Sequence, residues 1–142
     1  MIDRFIRDRL PPPERQPEFL FTLPELHYPE RLNAAVELID RNDPDAPALI
    51  SDSGCWTYGE MKDLSERIAR LLVEREGLVP GNRVLLRGPN NAMLFASWLA
   101  VLRAGGIVVA TMPMLRPGEI ATIVERAQIS HAIVDARCRE QR

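Results

Sequence analysis

Three short runs, Arg83-Val84-Leu85-Leu86, Ile107-Val108-Val109-Ala110 and His131-Ala132-Ile133-Val134, are apolar almost without a break, and each follows a segment of helical periodicity. A strand with one wet face alternates apolar and polar residues; a continuously apolar strand needs cover on both faces. Such strands alternating with helices predict a Rossmann-like, three-layer α/β fold, a mostly parallel sheet with helices on both faces. Ahead of them, Ala48-Leu49-Ile50 and Cys55-Trp56-Thr57 flank Asp52-Ser53-Gly54 and predict a small β-hairpin. A chain of 142 residues can bury one core of this kind.

The helical segments carry their own punctuation. Leu32, Ala35, Val36 and Ile39 predict a helix from Arg31 that Asn42-Asp43-Pro44 stops. Thr57-Tyr58-Gly59-Glu60 fits a capping box, in which the threonine hydroxyl and the glutamate carboxylate satisfy each other's backbone amides. The helix it opens places Met61, Leu64, Ile68, Leu71 and Leu72 on one stripe, with Asp63–Arg67 and Glu66–Arg70 spaced to pair on the wet side. Pro80-Gly81 suits the centre of a type II turn. Asn90 or Asn91 caps the next helix, whose Met93, Leu94, Phe95, Trp98, Leu99, Val101 and Leu102 leave almost no polar face and predict burial. Gly105-Gly106 ends it, and Pro117 opens a third helix bearing Ile120, Ile123, Val124 and Ala127.

Residues 1–30 read differently. Asp3 can cap a short helix carrying Ile2, Phe5, Ile6 and Leu10, and Pro11-Pro12-Pro13 ends it. Pro17, Pro24 and Pro29 then lie among Phe19, Leu20, Phe21, Leu23 and Leu26. The expected organisation is a proline-rich arm over residues 1–30 that needs a surface to lie on, then an α/β subdomain over residues 31–142. The closing Ala136-Arg137-Cys138-Arg139-Glu140-Gln141-Arg142 holds no stop signal, so that subdomain is expected to be partial, incomplete at its C-terminal end.

Composition removes several function classes. The net charge of -2 gives no basic face for nucleic acid. The start, with charges at Asp3, Arg4, Arg7 and Asp8, is no secretory signal, and the apolar stretch over residues 92–102 is too short to span a bilayer. Cys55 and Cys138 share no ligand spacing and are expected as reduced thiols of a cytoplasmic protein. The only lysine, Lys62, lacks the glycines and hydroxyl of a phosphate-binding loop. Arg87-Gly88-Pro89-Asn90-Asn91 has one glycine and reads as a strand-to-helix turn, not a dinucleotide fingerprint. His27 falls in the arm, His131 opens a strand, and Glu119 and Glu125 are not spaced as a carboxylate pair. No metal-ligand cluster is spelled out, and no catalytic residue is assigned.

Asn33-Ala34-Ala35, Pro47-Ala48-Leu49-Ile50, Trp56-Thr57-Tyr58-Gly59-Glu60, Pro80-Gly81-Asn82-Arg83-Val84, Gly88-Pro89-Asn90 and Trp98-Leu99-Ala100-Val101-Leu102-Arg103-Ala104-Gly105-Gly106 occur in this order. The series resembles the N-terminal subdomain of the AMP-binding, acyl-CoA-synthetase-like family of adenylate-forming enzymes, over about residues 30–137. Leu10-Pro11-Pro12-Pro13-Glu14, Leu23-Pro24-Glu25-Leu26, Tyr28-Pro29-Glu30-Arg31 and Ala110-Thr111-Met112-Pro113 look most like its benzoate and 2-aminobenzoate CoA ligase branch.

The resemblance implies a parent enzyme that joins a small aromatic or acyl carboxylate to CoA through an acyl-adenylate, using ATP, Mg2+ and CoA. The phosphate-binding loop and catalytic lysine of that family are expected beyond this chain, so no cofactor is assigned to these residues and the chain is expected to be inactive alone. Some family members hold the CoA phosphates with a basic residue just after the proline matching Pro113. Met114 stands there, which leaves Arg116 as the candidate CoA contact. The alternative is a non-catalytic assembly module that pairs with a separate remainder or with itself; a small nucleotide-binding protein ranks behind both.

Overall fold

The computed structural model describes residues 1–52 and 54–138. Ser53 of the predicted hairpin turn and the closing Arg139-Glu140-Gln141-Arg142 lie outside the described residues. Element order is β1 (Pro47–Ser51), β2 (Gly54–Thr57), α1 (Tyr58–Glu74), β3 (Arg83–Arg87), α2 (Ala92–Arg103), β4 (Ile107–Thr111), α3 (Pro117–Ala127) and β5 (His131–Val134). β1 and β2 form the expected antiparallel hairpin, with Ile50 opposite Cys55. The main sheet has strand order β4-β3-β5, all parallel, with Leu85 opposite Val109 on one side and Ala132 on the other.

From β3 the chain crosses one way to β4, then back past β3 to β5. Right-handed crossovers running in opposite directions put α2 and α3 on opposite faces. α1 packs against α2, so those two helices share a face. The core lies there, in one cluster around Ala35, Ile39, Met61, Ala96 and Leu99 and a second around Leu72, Leu78, Val84, Leu86 and Val101.

Local signals place the elements. Thr57 Oγ1 accepts from the Glu60 amide at 3.2 Å, and the Thr57 amide donates to Glu60 Oε2 at 2.9 Å, closing the capping box. The Asn82 amide donates to the Val79 carbonyl at 3.0 Å across Pro80-Gly81, with Gly81 at φ +90°, the type II turn. Asn91, not Asn90, caps α2 by accepting from the Leu94 amide at 2.9 Å.

Other expectations are corrected. The segment after Arg31 begins its turns at Asn33, whose side chain accepts from the Ala35 amide at 3.1 Å, and Val36–Asp40 winds as a π-helix. Ties at both ends override its α-helical propensity: the Asn33 amide group donates to the Leu102 and Arg103 carbonyls, and Asp40 pairs with Arg103. In α1 the buried stripe is Met61, Ser65, Ala69 and Leu72, while Leu71 is 46% exposed. Glu66 pairs with Arg103 of α2 at 3.6 Å and lies 4.0 Å from Lys62, and Asp63 makes no ion pair among the described residues.

At the N-terminus Asp3 does not cap an α-helix. Its Oδ1 accepts from the Phe5 amide at 2.9 Å, a local turn, and its Oδ2 accepts from Asn82 and from the Arg83 guanidinium. Short 3-10 turns follow at Arg7–Arg9, Pro13–Arg15 and Pro24–Leu26. Further along, Phe19 and Phe21 stack at 6.2 Å and Tyr28 meets Phe21 edge-on, with all three rings exposed.

β4 departs most from the expectation of burial on both faces. β3 is buried along its whole length, whereas Ile107, Val108 and Val109 are half-buried and Ala110 is exposed. β4 is an outer strand of the sheet, and no residue of α3 is buried. α2 is not buried all round either, since Met93 is exposed and Leu94, Phe95 and Trp98 are half-buried.

Candidate functional site at the carboxyl edge of the sheet

In an open parallel sheet, ligands bind outside the carboxyl ends of the strands, where successive crossovers leave in opposite directions. Here that place lies between β3 and β4. The loop over residues 88–91 leads from β3 to α2, and the loop over residues 112–116 leads from β4 to α3. A crevice of about 360 Å³ opens between them, lined by Gly88, Pro89, Asn90, Thr111, Met112 and Pro113.

Its walls are held by polar ties. Thr111 Oγ1 donates to the Leu86 carbonyl at 3.1 Å and stitches β4 to β3. Arg87, placed by the sequence in the loop, is the buried last residue of β3. Its guanidinium donates to the Pro113 carbonyl at 2.8 Å and the Leu115 carbonyl at 3.0 Å, so a buried charge shapes the second loop. The Asp135 amide donates to the Arg87 carbonyl at 2.8 Å, and Arg137 holds the Asp135 carboxyl down at about 2. Nothing marked Arg87 as more than a loop residue; an arginine closing an otherwise apolar parallel strand is the signal that could have.

Arg116 precedes the first residue of α3 and is exposed. Its amide donates to Glu119 Oε2 at 2.7 Å, so its backbone is fixed as the helix cap while its guanidinium faces solvent. His131 lies at the opposite, amino end of β5. Its Nε2 is 2.9 Å from the Glu76 carbonyl and its Nδ1 2.9 Å from Ser130 Oγ. His27 sits in the arm, and Cys55 (exposed) and Cys138 (buried) are free thiols. These groups are not assembled around one point.

Lys62 stands on α1 beside Glu66. A Cβ on Gly88 would lie 3.3 Å from that of Asp135, so the glycine relieves packing against the chain itself, and the Leu94 amide at the start of α2 is taken by Asn91. Among the described residues there is no group of three or more His, Cys, Asp or Glu that could hold a metal ion. No helix among the described residues is long and apolar enough to cross a membrane.

Beside the crevice lies a larger groove of about 520 Å³, mostly apolar, with Leu49 and Ile50 of the hairpin on one side, Leu94, Phe95 and Trp98 of α2 on another, and Ala110 of β4 at its edge.

Comparison with known proteins gives this geometry a context. Nonribosomal peptide synthetase 8 of Aspergillus fumigatus is 30% identical over 103 residues, 72% of this chain and 1% of that protein. A long-chain-fatty-acid–CoA ligase of Salmonella typhimurium is 32% identical over 95 residues, 65% of this chain and 17% of that one. The crystal structure of a benzoate CoA ligase from Burkholderia xenovorans superposes with a TM-score of 0.69 at 26% identity, over 76% of this chain and 22% of the other. ATP-bound MatB from Rhodopseudomonas palustris gives 0.70 at 26%, over 77% and 22%. The anthranilate CoA ligase AuaEII, at 22% identity and a TM-score of 0.72 over 78% and 22%, shares the fold. The chain thus spans about a fifth of the length of the solved ligases. Residues 36–142 match the family described as AMP-binding enzyme, to which the chain belongs.

Proposed function

We propose that the chain is the N-terminal α/β part of an ATP-dependent aryl- or acyl-CoA ligase and does not activate a carboxylate alone. One observation carries this reading: the match to the AMP-binding family runs over residues 36–142, while the chain spans 22% of the benzoate CoA ligase it resembles. The benzoate and anthranilate branch is favoured by the likeness to the benzoate CoA ligase at 26% identity and by the arm motifs Leu10-Pro11-Pro12-Pro13 and Tyr28-Pro29-Glu30-Arg31. The proposed boundary falls at residue 30, between arm and α/β subdomain. ATP, Mg2+ and CoA belong to the proposed whole enzyme, and no step is assigned to these residues.

Exchange of radiolabelled pyrophosphate into ATP, with benzoate or anthranilate present, stays at background for the isolated chain. Clear exchange overturns the reading. Arg116 is proposed as a contact to the CoA phosphates, supported by its exposure beside the crevice loop. In the whole ligase, Arg116→Ala raises the CoA KM with little change in kcat; an unchanged KM removes the assignment.

The second reading, an assembly module that binds a separate remainder or itself, is favoured by the open apolar groove. Sedimentation of a stable monomer that takes up no partner counts against it.

A further inference from the structure

We infer that the outer face of α1 is a self-complementary contact surface, on which α1 of a second copy of this chain docks antiparallel. The inference is independent of the ligase reading.

α1 buries Met61, Ser65, Ala69 and Leu72 against the body. Its opposite face presents Asp63, Arg67 and Arg70, all exposed. Asp63 and Arg67 stand four residues apart, in the favourable order for an ion pair along a helix. They do not make it. The side chains of Asp63, Arg67 and Arg70 have no ion pair or hydrogen bond among the described residues, and Glu66 turns to Lys62 and to Arg103 of α2.

The order of these charges decides the occupant. Glu60 and Asp63 fall in the amino-terminal half of the exposed stripe, Arg67 and Arg70 in its carboxyl-terminal half. A twofold axis across the middle of α1 turns the helix end for end and sets the acidic half of each copy against the basic half of the other. An isologous contact requires a patch that complements itself, and this stripe does. The same reversal brings Glu74, exposed at the end of one α1, toward the first turn of the other, where a carboxylate is favoured. A partner of one sign, such as a nucleic acid, loses on one half of the stripe what it gains on the other. Leu71 and Val73, 46% and 47% exposed, border the stripe on either side, so a second helix laid along it also covers apolar surface. Asp63, Glu66, Arg67 and Arg70 line a depression of about 430 Å³ that receives the facing side chains. With 17 residues α1 is about 25 Å long. One helix pair of that length is a small interface, and exposed ion pairs are individually weak, so the dimer is a low-affinity, salt-sensitive one.

Sedimentation equilibrium of the purified chain, at millimolar concentration and about 0.1 M salt, should show monomers in exchange with dimers. Raising the salt to about 1 M shortens the screening distance from about 10 Å to about 3 Å and should weaken the dimer at least tenfold. Asp63→Arg leaves positions 63, 67 and 70 all basic; Arg67→Asp combined with Arg70→Asp leaves them all acidic. Each variant alone should dimerise at least tenfold more weakly. Mixed in equal amounts, the two should pair with each other at least as tightly as the unsubstituted chain pairs with itself. All three positions are exposed, so circular dichroism should be unchanged in both variants. Ile50→Asp, in the apolar groove, should leave the dimer intact. A chain that stays monomeric at low salt overturns the inference, as does a dimer indifferent to salt or to both α1 variants. A mixture of the two variants that fails to pair overturns it too, and so does a dimer that Ile50→Asp dissolves, since the groove would then be the contact. Pyrophosphate exchange, which tests the ligase reading, bears on none of these outcomes.

Discussion

Arg83 is 4% exposed yet carries a full charge at the amino end of β3. Its Nε donates to the Ala127 carbonyl at 2.9 Å and its Nη2 to the Gln128 carbonyl at 2.7 Å, closing the end of α3 onto β3. Nη1 reaches the Gly81 carbonyl and the Asp3 carboxylate. Phe5 lies against the guanidinium at 4.5 Å, with Arg9 over the same ring at 3.8 Å. The buried charge is tolerated because it is paired and its donors are used. Arg83→Met strands three carbonyls and the Asp3 carboxylate, and should cost about 3 kcal/mol by urea denaturation, near the lower end for a broken buried pair because Asp3 stays partly wet. Neither Asp3 nor Arg83 announces this in sequence. Asp3 reads as a helix cap, and its partner is 80 residues away.

At the scale of elements, the cap and turn residues act locally. Thr57→Ala removes an acceptor from the first turn of α1 and should cost about 1 kcal/mol, seen as a lower urea midpoint with an unchanged slope. Gly81→Ala should be worse than its left-handed φ alone requires. A Cβ there would meet the Asp3 carbonyl oxygen, a backbone atom that must move, and with it the Arg83 clamp. Beyond a lowered melting temperature, residues 1–9 should become cleavable by protease in this variant; unchanged protection would show that the clamp forms without the turn. The capping box at Thr57, the type II turn and the helix-ending glycines were legible because each is decided within four residues. The π-helix at Val36–Asp40 was not, since its geometry is set by Asn33 and Asp40 holding the last turn of α2.

For the whole molecule, acid is the revealing stress. The Arg103 guanidinium, bonded at 2.9 and 2.6 Å, holds the Asp40 carboxyl below its ordinary value, against the opposing effect of burial. The Phe5 amide, and after it Arg83, does the same for Asp3, and Arg137 keeps Asp135 at about 2. Each carboxyl binds its proton less readily folded than unfolded. The stability they contribute is therefore complete above the unfolded value of about 4 and is lost as pH falls toward their folded values. The melting temperature should hold from neutral pH to about 4 and then drop. Asp40→Asn should lower stability at pH 7 by about 1–2 kcal/mol and flatten the acid limb. An acid limb as steep as in the unsubstituted chain would show that Asp40 takes no part.

What could be read from the order of residues was the alternation of apolar strands with capped helices, and hence a parallel α/β sheet of the AMP-binding family. Periodicity and caps depend on neighbours a few residues apart, and the series of family segments is itself linear. Tertiary structure alone decided which apolar residues are covered. β3 lies between two strands and under α2, so its apolar run is buried; β4 reads almost the same but lies at the sheet margin beside an open groove. It also decided the fate of the arginines. Arg83, Arg87 and Arg103 are indistinguishable by spacing from the solvent-facing ones, and Arg83 and Arg87 are buried and Arg103 half-buried because distant carbonyls or carboxylates converge on them. Such convergence is a property of chain crossings, which no local pattern encodes.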